Sequence, residues 1–295
     1  MSTATLPPIL VPVDFSASTE TTLGHAVMMS KQLGLPIVLM HAIETHFSGF
    51  NLAELALHSD SRENAIYDLV EQRLKKRVSQ LESVGVPADF KIEFGSVHKS
   101  VTQVATDVNA AYIVVGAHGQ SGFEEFLIGS NTFRLCATAP CPVITVQQND
   151  TQLNKAYQKI VLPIDTSFYT RQKVKHTADL AAAFGATVHV FGVSSEEDAD
   201  SVHHVQIILK QVIAYLKQRG IQAESNEEYG ANPTDAAIVY AKAIHADLIA
   251  IMTEQEPSIQ SLIMGEYAQQ MINRSPIPVI SFRPHEVSEQ AAFSL

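Results

Sequence analysis

The sequence predicts an α/β protein built from two tandem domains, each an open, twisted, five-stranded parallel sheet. Three observations carry this. The chain has 295 residues, too many for one ordinary domain and enough for two of roughly 150. Short apolar runs alternate with amphipathic helical stretches. The chain also repeats itself.

The repeat is read from three landmarks. Ile9-Leu10-Val11-Pro12-Val13-Asp14 returns as Ile160-Val161-Leu162-Pro163-Ile164-Asp165. Glu93-Phe94-Gly95 is echoed by Glu228-Tyr229-Gly230, and Ala139-Pro140-Cys141-Pro142-Val143-Ile144 by Ser275-Pro276-Ile277-Pro278-Val279-Ile280. The offset is 151 at the first landmark and 135 at the second, so the first copy holds about 16 extra residues. Residues 38–43 still match 188–193, which places the extra length around 44–62. The polar stretch 147–157 reads as a linker. Domains are thus expected at 1–148 and 156–284.

In the first copy, residues 9–13 form an apolar run suited to a buried parallel strand. Leu23, Ala26, Val27, Ser30 and Leu33 follow with helical spacing, and Gly34 ends them. Residues 37–43 give the second strand. Ile66, Leu69, Val70, Leu74, Val78 and Leu81 mark one face of a long helix, with Glu71 and Lys75 placed as an i,i+4 pair. The third strand falls at 90–94. Val97, Val101, Val104, Ala105 and Val108 give another helix, 112–115 the fourth strand, 130–137 a helix and 143–146 the fifth strand. Right-handed crossovers then imply a parallel sheet covered on both faces. In such sheets ligands bind beyond the carboxyl ends of the strands, where the strand order reverses.

Composition narrows the function classes. Hydrophobic residues make up 46% and charged ones 17%, enough for substantial cores. No apolar run approaches the ~20 residues of a membrane span, and residues 1–8 lack the marks of a signal peptide. A cytoplasmic protein that engages no membrane is expected. The net charge of −11 is spread over both copies, with 9 Lys+Arg against 15 Asp+Glu in residues 1–150. No basic stripe stands out, so nucleic acid is not expected as a partner. Cys136 and Cys141 lack metal or redox spacing and read as structural, reduced thiols.

The strongest chemical signal follows the fourth strand: Gly116-Ala117-His118-Gly119, nine residues, then Gly129-Ser130-Asn131-Thr132. Glycine lets a backbone approach a ligand closely. Gly129 and Ser130 open a helix whose first N–H groups form an anion site. Hydroxyls at Ser130 and Thr132 can add bonds to phosphate. The same residues also fit a tight turn and a simple N-cap. Glu124 and Glu125 in the spacer oppose phosphate unless they face solvent or magnesium offsets them.

This motif, followed by Ala-Pro-Cys-Pro-Val, and Pro12-Val13-Asp14-Phe15-Ser16 after the first strand, resemble the ATP-binding signature of the universal stress protein family. The resemblance covers nearly the whole chain as two copies. It implies an adenine nucleotide alpha hydrolase-like fold with strand order 3-2-1-4-5, which sets Asp14 facing Gly116. It further implies ATP as cofactor, with or without Mg2+, in a stress-response or regulatory protein. Pro12 and Asp14 would border the ribose or adenine, the Ala42 backbone would read the adenine edge, and Val115 and Gly116 would line the base and ribose pocket. Gly119, Gly129, Ser130 and Thr132 would hold the phosphates. Family members of this kind pair through the edge strand, here 143–146 against 279–282. The two copies would then form an internal pseudo-dimer, and two chains a homodimer.

The second copy departs from the pattern. Met252-Thr253-Glu254-Gln255 replaces the early glycines, and Glu266 answers Ser130 at a helix start, where its carboxylate would occupy the anion position. Asp165 reads as a remnant of the pocket or as a helix cap. Nothing resembles a nucleophile–base pair. His118 reads as a loop residue, His41 as packed in the sheet, and His203 and His204 as no metal pair. The extra segment, with Phe47, Phe50, Leu52, Leu55 and Leu57, suits a lid or additional packing. A slow ATPase and a nucleotide-free interaction module are the rival readings.

Overall fold

The computed structural model describes residues 6–44, 59–117, 129–148, 155–167, 169–254 and 264–284. The extra segment's aromatic and leucine residues up to 58, and His118, Gly119, Glu124 and Glu125 in the glycine loop, lie outside the described residues.

In the first half the order is β1 (Ile9–Pro12), α1 (Ala17–Leu33), β2 (Ile37–Ile43), α2 (Ser59–Ser83), β3 (Ala88–Phe94), α3 (Val97–Asp107), β4 (Tyr112–Gly116), α4 (Ser130–Thr138) and β5 (Val143–Val146). The second half repeats it as β6 (Lys159–Ile164), α5 (Gln172–Phe184), β7 (Thr187–Ser194), α6 (Ala199–Gln218), β8 (Ala223–Tyr229), α7 (Pro233–Ala243), β9 (Leu248–Met252), α8 (Glu266–Arg274) and β10 (Val279–Phe282). All five strands expected in the first half are present, β3 starting two residues early. Gly34 ends α1 in the left-handed region at φ 70°, its N–H bonded to the Ser30 carbonyl at 2.8 Å. Helix α2 has 25 residues against 20 in α6, so part of the insertion lengthens a helix.

Strand order in the first half is β3-β2-β1-β4-β5, and the second half runs β8-β7-β6-β9-β10, both the 3-2-1-4-5 arrangement. Pairing within each half is parallel throughout. The two expected sheets are joined as one. Edge strands β5 and β10 pair antiparallel, giving a continuous mixed sheet of ten strands. Pairing removes two open edges that would otherwise template aggregation.

Alternate residues of each strand point to opposite faces and build two apolar layers. On one face Ile9, Val11 and Leu39 meet Leu23, Met29 and Leu74, with Val174, Val205 and Val212 of the second half in the same cluster. On the other, Leu10, Val38 and Ile113 meet Val101, Val104 and Leu135, with Ala237, Ile249 and Met271 alongside. Helix α2 corrects the sequence reading in part. Val70, Leu74 and Leu81 are buried, but Ile66 and Leu69 are 48% and 52% exposed. The Glu71–Lys75 pair forms at 3.0 Å.

The seam is reciprocal. Ile280 faces Ile144, and both are fully buried. The Thr145 hydroxyl donates to the Val279 carbonyl at 3.3 Å, and the Ser281 hydroxyl donates to the Val143 carbonyl at 3.1 Å. Ile280→Ala is expected to lower unfolding stability by about 2–5 kcal/mol, from lost transfer energy and the cavity left behind. Urea denaturation reads this directly.

Candidate functional site

Loops after β1 and β4 leave the sheet side by side, at the point where strand order reverses. Between them lies a cleft of about 610 Å³, inside the range usual for small-molecule pockets. Pro12, Asp14, Ala42, Val115, Gly116, Gly129, Ser130 and Thr132 all line it. Of the residues named from sequence, only Gly119 lies outside the described residues.

Asp14 organises the first wall. Its Oδ1 accepts from the Ser16 N–H at 3.0 Å, the Ser16 hydroxyl at 2.6 Å and the Thr19 hydroxyl at 2.9 Å. Phe15, next to it, sits at φ 59°, a left-handed conformation that a bulky residue adopts only under constraint. That constraint is visible: the Phe15 ring lies 4.9 Å from the His41 ring, with the Arg73 guanidinium 5.3 Å above it. His41 Nδ1 meets the Val13 carbonyl at 2.7 Å. A carbonyl only accepts, so Nδ1 carries the proton. His41 therefore both packs in the sheet, as expected, and lines the cleft.

The second wall is the start of α4. The Gly129 N–H donates to the Ala117 carbonyl at 2.9 Å, and Ala117 N–H to the Val146 carbonyl at 2.8 Å, which pins the helix start beside the end of β4. Among the described residues no side chain caps the N-terminus of α4, so its first amides remain for another acceptor. Thr132 differs from its expected role. It is buried and its hydroxyl donates to the Gly116 carbonyl at 2.9 Å, so that proton braces the helix against β4.

Asp14 and Glu44 are acidic, and among the described lining residues none is lysine or arginine. Phosphate held here would depend on backbone amides and the helix dipole. Sequence reasoning missed Ser18, Thr19 and Thr22 of α1, and Asn131. The signal was available: Ser16-Ala17-Ser18-Thr19 followed by Thr21 and Thr22 packs hydroxyls into the first turns after Asp14. Ser18, Thr19 and Thr22 are buried.

The matching region of the second half carries larger side chains, Lys173, Met252 and Tyr267. Asp165 repeats the Asp14 arrangement, its Oδ1 accepting from the Ser167 N–H at 3.0 Å and from the Ser167 hydroxyl. It organises this loop ahead of α5 and is not the N-cap of that helix. Lys173 stands where Thr22 stands and is 4% exposed, its Nζ donating to the Thr170 hydroxyl at 3.2 Å. Burial lowers the Lys173 ammonium to about 8, partly opposed by the charge of Asp165. Met252, at the Gly116 position, is buried, and Tyr267, at the Asn131 position, has a buried phenol oxygen without a partner among the described residues. Glu266 is exposed and accepts from the Gln270 amide at 2.8 Å. Its carboxylate therefore lies along the flank of α8 and does not cap the helix start, contrary to the sequence reading. Burial pushes the thiols of Cys136 and Cys141 up to about 12, so both stay protonated. No described helix is long and apolar enough to cross a membrane.

Fold and cleft together define a tandem, doubly wound α/β protein with a ligand-sized crevice at the switch point of its first half. The chain belongs to the universal stress protein family, whose model matches it twice, over residues 6–147 and 156–283. A universal stress protein of Mycolicibacterium smegmatis is 23% identical over 291 residues, covering 94% of this chain and 97% of that one. One from Methanocaldococcus jannaschii is 26% identical over 154 residues, 48% of this chain and 95% of the relative. The crystal structure of a universal stress protein from Archaeoglobus fulgidus matches with a TM-score of 0.74 at 20% identity, over 94% of this chain and 96% of that one. This last likeness is one of fold.

Proposed function

We propose that this protein binds one adenine nucleotide, ATP, in the first half and acts as a nucleotide-dependent stress or regulatory protein. One observation carries the reading. The cleft joins an acidic residue after β1 to an uncapped helix start after β4, which suits a ligand with hydroxyls at one end and anionic oxygens at the other. In this reading Asp14 accepts from the ribose or adenine side, and Pro12, Ala42, Val115 and Gly116 surround the base and sugar. Gly119 and Ser130 hold the phosphates by backbone amides. Gly129, whose own N–H is bonded to the Ala117 carbonyl, lets the phosphates approach the helix start, Thr132 fixes the helix that presents them, and Mg2+ offsets the neighbouring carboxylates. The domain limits 1–148 and 156–284, the second without a nucleotide, belong to this proposal. So does a cytoplasmic setting, which two free thiols suit.

Calorimetric titration of the purified chain with ATP, AMP and cyclic AMP tests it. One equivalent of ATP per chain is expected, unchanged in Gly265→Leu. An absence of heat, together with no nucleotide released on denaturing freshly purified protein, defeats the reading in favour of an interaction module. Product analysis after incubation with ATP and magnesium separates binding from hydrolysis.

A further inference from the structure

We propose that Arg283, a residue of the second half, is a positioning residue for the first-half cleft, acting through α4. The consequence for ligand affinity rests on the nucleotide reading above; the mechanical link does not.

Arg283 follows β10 directly. From there its Nη1 donates across the seam to the carbonyls of Thr138 and Ala139, at 3.2 and 3.3 Å. Those carbonyls end α4, the helix whose opposite end, Gly129 to Thr132, lines the cleft. With nine residues the helix is about 13 Å long, short enough to move as a rod and too short to be stable alone. It has no basic residue in its last turn and no acidic residue in its first. Its dipole is thus uncompensated by its own sequence at both ends, and the cation at its carboxyl end comes from the other half.

The pseudo-twofold partner of Arg283 is Gln147, which follows β5. Its Nε2 donates across the seam to the Ile272 carbonyl of α8 at 3.2 Å. Each half therefore holds the last helix of the other. The grips are unequal in chemistry. Helix α8 carries Glu266 in its first turn and Arg274 in its last, so it receives only a neutral amide. Helix α4 carries neither and receives a guanidinium. A cation at one end and an anion at the other favour the same placed helix, so the two are thermodynamically linked. When the helix is held only part of the time, apparent affinity falls by that fraction.

The test compares Arg283→Met, Arg283→Lys and the twin Gln147→Leu in the full chain. Amide hydrogen exchange of the ligand-free protein is the first readout. Arg283→Met is expected to speed exchange in residues 130–138 and Gln147→Leu in 266–274, each leaving the other helix unchanged. ATP titration is the second. Arg283→Met should weaken binding by roughly 5- to 30-fold, Arg283→Lys should recover most of that, and Gln147→Leu should leave it unaltered. Unchanged exchange in 130–138, or an equal loss of affinity in Gln147→Leu, overturns the proposal. If the parent chain binds no ATP, the nucleotide reading fails, and the exchange arm alone decides whether Arg283 places α4. Melting temperatures identify a variant that fails to fold, and Arg283→Lys then carries the comparison.

Discussion

Asp14→Asn is expected to weaken ATP binding by roughly one to two orders of magnitude while leaving the fold intact. Hydrogen bonds to a charged acceptor contribute about 1.5–3 kcal/mol, and the amide keeps an oxygen of the same shape but loses the charge. That oxygen can still accept from Ser16 and Thr19, which bond Asp14 Oδ1 at 2.6 to 3.0 Å. The loop should therefore hold and the melting temperature move little. Asp165→Asn, the twin change in the second half, should leave affinity unaltered. Calorimetry on both variants reads the result. Equal losses in the two would mean that the nucleotide site is not where the first-half cleft lies.

Lys173→Met should raise stability at neutral pH and abolish a pH dependence. The ammonium is buried beside Thr170, and its pKa falls from 10.5 to about 8, burial outweighing the attraction of Asp165. The unfolded chain binds more protons than the folded one between those two values. Stability therefore rises with pH from about 8 to 10.5, and the full penalty is present below 8. That penalty is roughly 3 kcal/mol at neutral pH. Met has similar length and no charge, and Asp165 is only half-buried and keeps its Ser167 bonds. A gain of about 1–3 kcal/mol at pH 7 is expected. Urea unfolding at pH 7, 9 and 10 should show parent and variant converging as the pH rises. A variant less stable than the parent at pH 7 would mean that the Asp165–Lys173 attraction exceeds the cost of burial.

Much of the architecture was legible because it repeats. Five apolar runs separated by helical periods allow few topologies, and the return of Asp14 as Asp165 marks two copies. The candidate cleft was legible where backbone geometry demands a residue type: glycine at a close approach, an acid after the first strand. Buried hydroxyls were harder. Ser18, Thr19 and Thr22 look like ordinary polar residues of an early helix until α1 packs against β4 and they line the cleft. Ile66 and Leu69 were misread for a related reason. A 3.6 period says which residues share a face, and not how much of that face is covered.

The sequence by itself determined the family, the two copies, the strands of the first and the loss of the glycine motif in the second. Each is a local matter of residue type and spacing, set within a few turns of chain. The seam of 143–146 against 279–282 was already implied by the family resemblance. Only the tertiary structure decided that Lys173 and the Tyr267 phenol oxygen are buried in the second half, and that Arg283 reaches the end of α4. These link residues up to 145 positions apart, and such contacts arise from packing whole elements together, which no local pattern encodes.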